Sequence, residues 1–237
     1  MWPFSRKYSI LESGILEGGT DWHCHILPGV DDGIRTVRES LEVLSFYEQT
    51  GIRDVWLTPH IMEDCPNGTA ELQERFAALQ AAYRGGITLH LGAENMMDNL
   101  FASRLAEGDL LTVGEPAMTL VETSYYNPPM GFEDTLNDMI LQGRRPLLAH
   151  PERYVYMEER DYVRLKQAGV LFQLNLMSLA GMYGEPAAHT AARLLQGGMY
   201  DFAGSDLHRL GPWKHAIGQK VLSKSQVAAL RTLCTSR

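Results

Sequence analysis

Histidines and acidic residues stand at the ends of short apolar runs along this chain, and the densest case is the pair His23 and His25. A β-strand alternates its faces with a period of two residues, so these two imidazoles project from the same side. A proline–glycine pair then ends the run, and Asp32 lies in the loop that follows. Two imidazoles and a carboxylate at the end of one strand favour a divalent metal site.

The same arrangement recurs later in the chain, in the motifs T-P-H, A-E, V-E, A-H-P-E-R and G-S-D-L-H. A lone histidine or glutamate in such a place is most often a surface, capping or packed residue. The prediction therefore rests on the conjunction, because unconnected surface residues rarely occupy corresponding positions in successive units. The candidate ligands are His23, His25, Asp32, His60, Glu94, Glu122, His150, Asp206 and His208.

Nine ligands are enough for three metal ions if one carboxylate bridges. Imidazole and carboxylate ligands without thiolate favour manganese, iron or zinc over a structural cysteine-type zinc site. By strand alternation, Cys24 points away from its two histidine neighbours, so we expect a packed thiol. The other histidines are expected to be structural or exposed: His90 in a strand, His189 in a helix and His215 in a late loop.

Apolar runs alternate with amphipathic segments, which predicts seven strands at residues 20–25, 54–60, 87–94, 117–123, 146–150, 170–175 and 201–205. Helical spacing predicts helices at residues 35–50, 69–83, 132–142, 159–168, 187–195 and 225–233. An open doubly wound sheet and a closed barrel both fit this pattern. Candidate ligands end six of the seven strands, and only a closed ring brings six strand ends around one centre. We therefore predict an irregular seven-stranded (β/α) barrel, with residues 1–18 as a lead-in and 19–237 as a single domain.

Composition bounds the function further. The chain has 237 residues, 45% of them hydrophobic, and a net charge of −8 without a lysine and arginine cluster. Binding to nucleic acid or to an anionic membrane is therefore not expected. The three cysteines are an odd number and widely separated, which is typical of free thiols in a reducing compartment. No signal peptide and no membrane-spanning run is apparent, so we expect a cytoplasmic protein without membrane insertion.

The ordered motifs D-x-H-C-H-I-L-P-G-V-D-D-G, T-P-H, A-E, H-P-E-R and G-S-D-x-H resemble those of the PHP (polymerase and histidinol phosphatase) superfamily. Within it, the chain resembles the bacterial manganese-dependent tyrosine-protein phosphatases of capsule and exopolysaccharide operons. The resemblance covers residues 20–208, and L-P-G-V-D-D-G and H-P-E-R are the elements most like this branch.

The resemblance implies three ions, with manganese expected and iron, zinc or magnesium as alternatives. The first would be held by His23, His25, Asp206 and a bridging Glu94, the second by Glu94, Glu122 and His150, and the third by Asp32, His60 and His208. Arg153 matches the phosphate-binding arginine of the family. The family commonly has a second arginine soon after the D-x-H motif; here Arg209, Lys214 or neither fills that role.

The resemblance also implies the activity, which is hydrolysis of phosphotyrosine on a protein. The expected partner is the tyrosine-rich tail of a bacterial tyrosine autokinase that controls polysaccharide export. A thiol mechanism is excluded, because the C-x5-R motif that it requires is absent after Cys24, Cys65 and Cys234. Two alternatives remain: a small-molecule phosphatase, such as a histidinol-phosphate hydrolase, and a non-catalytic metal-binding module.

One segment offers a wall for an aromatic substrate ring. It lies just after the candidate ligand Glu122 and contains Tyr125, Tyr126, Pro128, Pro129 and Met130. An ordinary turn with packed aromatic residues explains this composition equally well.

Overall fold

The structure is a computed structural model that describes residues 6–235, within which short strands alternate with helices. The strands are Thr20–Cys24 (β1), Asp54–Leu57 (β2), His60–Ile61 (β3), Thr88–Leu91 (β4), Glu94–Met96 (β5), Thr119–Glu122 (β6), Pro146–Ala149 (β7), Leu171–Asn175 (β8) and Phe202–Gly204 (β9). The helices are Val37–Thr50 (α1), Thr69–Ala82 (α2), Asn99–Glu107 (α3), Phe132–Leu141 (α4), Glu159–Ala168 (α5), Leu176–Leu179 (α6), Glu185–Gln196 (α7), Leu210–Gly218 (α8) and Lys224–Thr235 (α9). A 3-10 turn covers Pro151–Arg153.

All the strand pairs are parallel, in the orders β1-β2-β4 and β3-β5-β6-β7-β8-β9. Two of the seven predicted strands are each split by a kink. The predicted strand at 54–60 breaks at Thr58 and Pro59 into β2 and β3, because a proline has no N–H to offer the ladder. The predicted strand at 87–94 breaks beside it, at Gly92, into β4 and β5. The remaining five strands are continuous.

Backbone hydrogen bonds connect the last strand to the first. The N–H of Asp206 donates to the carbonyl of His23 at 2.7 Å, and the N–H of His25 donates to the carbonyl of Leu207 at 3.0 Å. The seven strand units therefore follow one another around a ring, as in a (β/α) barrel. In such a barrel the carboxyl ends of all strands face one mouth.

Hydrophobic strand residues alternate between two apolar clusters. Leu148 of β7 belongs to the large cluster that the helices share, whereas Leu147 packs with Trp22 and Leu120 in a second cluster. Because successive side chains of a strand point to opposite faces, this second cluster fills the inside of the barrel. Because apolar side chains fill the interior, the polar residues lie at the mouth that the carboxyl ends of the strands form.

Local signals explain where the helices begin and end. Helix α1 starts at a capping box of Thr36 and Glu39 and stops at Gly51, whose φ is 86°. Helices α1, α2, α4, α5, α7 and α9 lie where the sequence predicts helices. Helices α3, α6 and α8 were not predicted, and His215 lies in α8 rather than in a loop.

The described part of the predicted lead-in packs against the barrel. Tyr8 and Leu222 exchange two backbone hydrogen bonds of 2.9 Å, and Ile10, Ile15 and Leu16 are buried. The first five residues of the lead-in lie outside the described residues. Over residues 6–235, no helix has the length and apolar character needed to cross a membrane.

Candidate metal centre

The structure brings all nine predicted ligands to one end of the barrel. His23 lies within β1, and Glu122 ends β6. His60 and Glu94 begin β3 and β5. The other five ligand candidates lie in the loops that follow strands. Every carboxylate of the set lies within 4 Å of an imidazole nitrogen of the set, as the contacts below show. The structure therefore brings these nine predicted side chains together at one place.

Glu94 is the centre of the cluster and is fully buried. Its Oε2 lies 3.1 Å from His23 Nε2, 3.2 Å from His25 Nε2 and 3.2 Å from His60 Nδ1. Its Oε1 lies 2.9 Å from His150 Nε2. One carboxylate thus faces four imidazoles, and its two oxygens are placed so that they could contact more than one ion.

Three overlapping groups of side chains could each hold an ion, because their ligand atoms lie within 4.8 Å of one another. The groups are His23, His25, Glu94 and Asp206; His60, Glu94 and Glu122; and His25, Asp32, His60 and His208. His150 adds to the second group, since its Nε2 also lies 3.8 Å from Glu122 Oε2. Each ring nitrogen of His60 faces a different group.

The donor atoms fit cations better than they fit each other. Among the described residues, Glu94 Oε2 and His60 Nδ1 are buried without a hydrogen-bond partner, although both have neighbours near 3 Å. A buried polar atom without a partner costs about 1–3 kcal/mol. A divalent ion requires several lone pairs that point towards one position. Imidazole with carboxylate is a common donor set for such ions.

The electrostatics of the cluster favour positive charge. Burial lowers the pKa of His23, but the carboxylates of Glu94 and Asp206 outweigh it and raise this pKa to about 9. Burial raises the pKa of Glu94, yet the charges of His23 and His60 hold it well below its usual value. The Glu94 carboxylate therefore stays ionised at neutral pH and attracts cations.

Two ligand candidates have a backbone conformation that is unusual for residues other than glycine. His150 has a φ of 35° and Asp206 a φ of 50°, both in the left-handed region. Such strain persists only where the surroundings enforce it, and it concentrates at functional sites. The backbone of His25 also passes close to Gly33, where a Cβ atom would lie 2.1 Å from the His25 carbonyl oxygen. Only glycine fits this position without a shift of the backbone.

Polar residues that the sequence analysis did not select orient two of the histidine rings and join the strands that carry the ligands. Asp31 Oδ2 lies 2.8 Å from His25 Nδ1, and Gln173 Oε1 lies 2.7 Å from His23 Nδ1. Asp21 accepts from the N–H of Ser205 at 2.7 Å and so ties β1 to β9. Partners of this kind fix which ring nitrogen is free to bind a metal. The D-D-G motif offered a signal for Asp31, whereas nothing in the local sequence marks Gln173.

Arg153 lies beside the cluster, where its Nη1 donates to Asp206 Oδ2 at 2.9 Å. Its guanidinium carbon lies 4.3 Å from the ring centre of Tyr125 and 4.0 Å from that of Tyr183. Burial lowers the pKa of Arg153, but the charge of Asp206 outweighs it and raises the pKa above its ordinary value. Asn175 supports the same corner: its Nδ2 donates to Asp206 Oδ2 at 2.8 Å and to the Tyr183 hydroxyl at 3.1 Å.

A cavity of about 550 Å³, which we call the catalytic cavity, opens over the cluster. It is lined by Asp32, His60, Glu94, Tyr125, His150, Arg153, Met177, Met182, Tyr183, Asp206, His208, Arg209 and Pro212. Its size is that of a small-ligand pocket, with polar groups at the base and apolar side chains on the walls.

The structure separates the two candidates for a second phosphate-binding cation. Arg209 lines the catalytic cavity, and its Nη1 donates to the backbone carbonyls of Asp32 and His208 at 2.7 Å. Lys214 does not line it; its Nζ lies 4.5 Å from the ring centre of Phe46. Of the proposed apolar wall, only Tyr125 lines the catalytic cavity, and Met130 is fully exposed.

The histidines and thiols outside the pattern lie away from the catalytic cavity. His90 stacks on Trp56 at 4.6 Å, and neither His189 nor His215 lines the cavity. Cys24 is buried, and its Sγ donates to the carbonyl of Trp56 at 3.4 Å. Burial raises the pKa of this thiol well above its usual value, so the thiolate is disfavoured.

Comparison with known proteins gives a family and close structural relatives. A family model described as capsular polysaccharide synthesis, CpsB/CapC, matches residues 19–220. Tyrosine-protein phosphatase YwqE of Bacillus subtilis is 29% identical over 198 residues, or 80% of this chain and 77% of that protein. Tyrosine-protein phosphatase CpsB of Streptococcus pneumoniae is 27% identical over 203 residues, covering 80% of this chain and 83% of that protein.

A similar solved structure belongs to a study of YwqE from Bacillus subtilis and CpsB from Streptococcus pneumoniae. That study describes these two proteins as unique metal-dependent tyrosine phosphatases. The solved structure superposes with a TM-score of 0.74 at 24% identity and covers 92% of this chain and 96% of that chain. The fold is therefore shared over nearly the whole of both chains.

Proposed function

The chain belongs to the CpsB/CapC family of capsular polysaccharide synthesis, and we propose on this basis that it is a metal-dependent phosphatase that hydrolyses phosphotyrosine on a protein. The observation that carries the proposal is the convergence of nine imidazole and carboxylate side chains around Glu94, with Arg153 beside them. Its relatives YwqE and CpsB are named tyrosine-protein phosphatases.

We assign the metal ligands to three sets that share only Glu94: His23, His25, Asp206 and Glu94; Glu94, Glu122 and His150; and Asp32, His60 and His208. Three manganese ions are the proposed complement, because Glu94 can bridge and the donor set contains no thiolate. Divalent ions bound there would supply Lewis-acid activation of water and would neutralise phosphoryl oxygens. Asp31 and Gln173 would keep the rings of His25 and His23 oriented for this purpose.

Arg153 is the proposed phosphate-binding residue. A guanidinium has five N–H donors in a planar fork, and it can hold a phosphoryl group while one donor stays on Asp206. The rings of Tyr125 and Tyr183 keep the guanidinium plane in place. They leave 15% of the Arg153 side chain exposed to solvent. Arg209 also lines the catalytic cavity, where backbone carbonyls hold it and it would add positive charge.

The apolar walls favour an aryl substrate. Met177, Met182 and Pro212 line the catalytic cavity together with the rings of Tyr125 and Tyr183. A phenyl ring can pack there while its phosphoryl group reaches the base. A phenolic leaving group, with a pKa near 10, also requires less protonation than an alkoxide.

The proposed partner is a phosphotyrosine-bearing protein, such as the tail of a bacterial tyrosine kinase of the capsule machinery, and the proposed location is the cytoplasm. The three cysteines form no disulfide, which suits a reducing compartment. A single domain over residues 19–237 stays a proposal as well.

The test is a comparison of substrates with the purified protein and Mn²⁺. We expect the highest kcat/KM for a phosphotyrosine peptide, and much lower values for the matched phosphoserine peptide and for histidinol phosphate. Equal rates on the two peptides would indicate a general phosphoesterase. A higher kcat/KM for histidinol phosphate than for any phosphotyrosine peptide would indicate a small-molecule phosphatase.

A further inference from the structure

A second cavity of about 430 Å³ adjoins the catalytic cavity, and we call it the side cavity. Tyr125, Arg153 and Tyr183 line both, so they form the wall between them. The other side-cavity residues used below are Tyr126, Tyr154, Val155 and Tyr162. A ligand group that leaves the catalytic cavity past this wall therefore arrives in the side cavity.

The lining of the side cavity offers ring faces rather than hydroxyl groups. The Tyr154 hydroxyl donates to the carbonyl of Ala149 at 2.9 Å, and the Tyr162 hydroxyl donates to the carbonyl of Pro151 at 3.4 Å. The Tyr183 hydroxyl accepts from Asn175. Because these polar tips are used within the protein, these three tyrosines offer an occupant mainly their ring faces.

The rim of the side cavity exposes large apolar side chains. Tyr126 is 72% exposed and Val155 is 69% exposed. The N–H of Val155 donates to the carbonyl of Tyr125 at 2.9 Å, which connects the two loops that carry them. An exposed apolar patch beside a polar cavity is typical of a binding surface.

We propose that the side cavity binds a large apolar side chain, aromatic or aliphatic, of the same polypeptide that carries the phosphotyrosine. This inference rests on the proposed function, since the flanking residues of a protein substrate must cross the rim of the catalytic cavity. Glu152 and Arg153 line the side cavity with opposite charges, and the Glu152 carboxylate accepts from the N–H of Asn175 and from the Tyr200 hydroxyl within the protein. The substrate class is thus a phosphotyrosine peptide with an apolar residue a few positions away.

The test uses one phosphotyrosine peptide with glycine at its flanking positions, and variants that carry a single leucine, phenylalanine or aspartate at each of them. We expect leucine or phenylalanine at one position to raise kcat/KM by about tenfold, the scale of burying part of one apolar side chain. Aspartate there should give no gain. A fluorescent peptide with a non-hydrolysable phosphonate in place of the phosphate should show the same preference in its Kd.

Variants of the rim identify the cavity. Val155→Asp and Tyr126→Ser, both at exposed positions, should abolish the gain from the apolar residue in kcat/KM and in Kd. The matched control is Leu141→Asp, an exposed position (84%) at the end of α4 that does not line either cavity; it should keep the gain.

Equal kcat/KM and Kd for every flanking residue, or a full gain in both rim variants, would overturn the side cavity as a subsite while leaving phosphotyrosine hydrolysis intact. No turnover of any phosphotyrosine peptide, with turnover of histidinol phosphate, would overturn the proposed function and this inference together.

Discussion

Arg153 and Asp206 form an ion pair, with Nη1 2.9 Å from Oδ2, that joins the phosphate-binding side of the catalytic cavity to its metal-binding side. The other carboxylate oxygen, Oδ1, lies 3.3 Å from His25 Nε2 and 3.4 Å from His208 Nδ1. Oδ2 of Asp206 thus accepts from the arginine, whereas Oδ1 faces the histidines. The arginine side of this pair can be changed without removing a proposed metal ligand.

Replacing Arg153 with alanine should lower kcat/KM for a phosphotyrosine peptide by roughly 100-fold. That corresponds to about 2.7 kcal/mol, the scale of one lost transition-state donor. The metal content should not change, because a guanidinium is not a ligand and Asn175 still donates to Asp206. Steady-state kinetics with metal analysis of the same preparation measure both. Loss of metal from Arg153→Ala would contradict this division of tasks.

Replacing Asn175 with alanine should weaken Mn²⁺ binding by about 10- to 100-fold, as is typical for the loss of a partner that orients a ligand. The amide donates to both Asp206 and Tyr183, so kcat/KM should fall as well. Titration of the metal-free protein with Mn²⁺ gives the affinity. The control Tyr183→Phe removes only the hydroxyl contact and should bind Mn²⁺ normally. Wild-type Mn²⁺ affinity in Asn175→Ala would show that Asn175 does not position Asp206.

Replacing His150 with alanine should lower both the number of bound ions and the rate, because its Nε2 faces Glu94 and Glu122. His90→Ala is the matched control, since His90 stacks on Trp56 away from the catalytic cavity. It should keep the metal content and kcat of the wild type. The wild-type number of ions in His150→Ala would remove His150 from the ligand set.

Replacing each cysteine with serine should leave phosphatase turnover within a few-fold of the wild type. Burial raises the pKa of the Cys24 thiol far above its usual value and that of Cys234 to about 12, so thiolates are disfavoured at both. Cys65 donates to the carbonyl of Val30 and also has a pKa raised by burial. Mass spectrometry of the quenched reaction should find no phosphocysteine. A trapped phosphocysteine would refute the metal mechanism.

The strands and their order around the barrel could be predicted because apolar runs and ligand-bearing ends repeat in the sequence. The kink at Pro59 could be anticipated only in part, since a proline shows that a ladder breaks but not that the strand resumes at His60. Helix α8 was not predicted because Gly211 and Pro212 disfavour helices, although a proline is tolerated in the first turn. Helix α3 did carry signals, a cap at Asp98 and a stop at Gly108.

The residues that the sequence analysis missed act through contacts between distant parts of the chain. Gln173 reaches His23 across 150 positions, and Asn175 reaches Asp206 from the neighbouring strand. An amide in a strand, such as Gln173 or Asn175 in β8, has no local pattern that distinguishes it from a structural residue. Asp31 and Asp32 are adjacent and chemically equal, and only the folded loop turns one towards His25 and the other towards His60 and His208.

The most direct test of the metal-dependent mechanism is to remove and restore the ions on one preparation. The protein is dialysed against EDTA, its metal content is measured, and turnover of a phosphotyrosine peptide and the melting temperature are recorded before and after Mn²⁺ is added. We expect turnover to be lost without metal and restored as about three Mn²⁺ ions bind per chain. The melting temperature should rise on binding, because the ions bind the folded cluster and not the dispersed ligands. Full turnover by metal-free protein in excess EDTA would contradict the account.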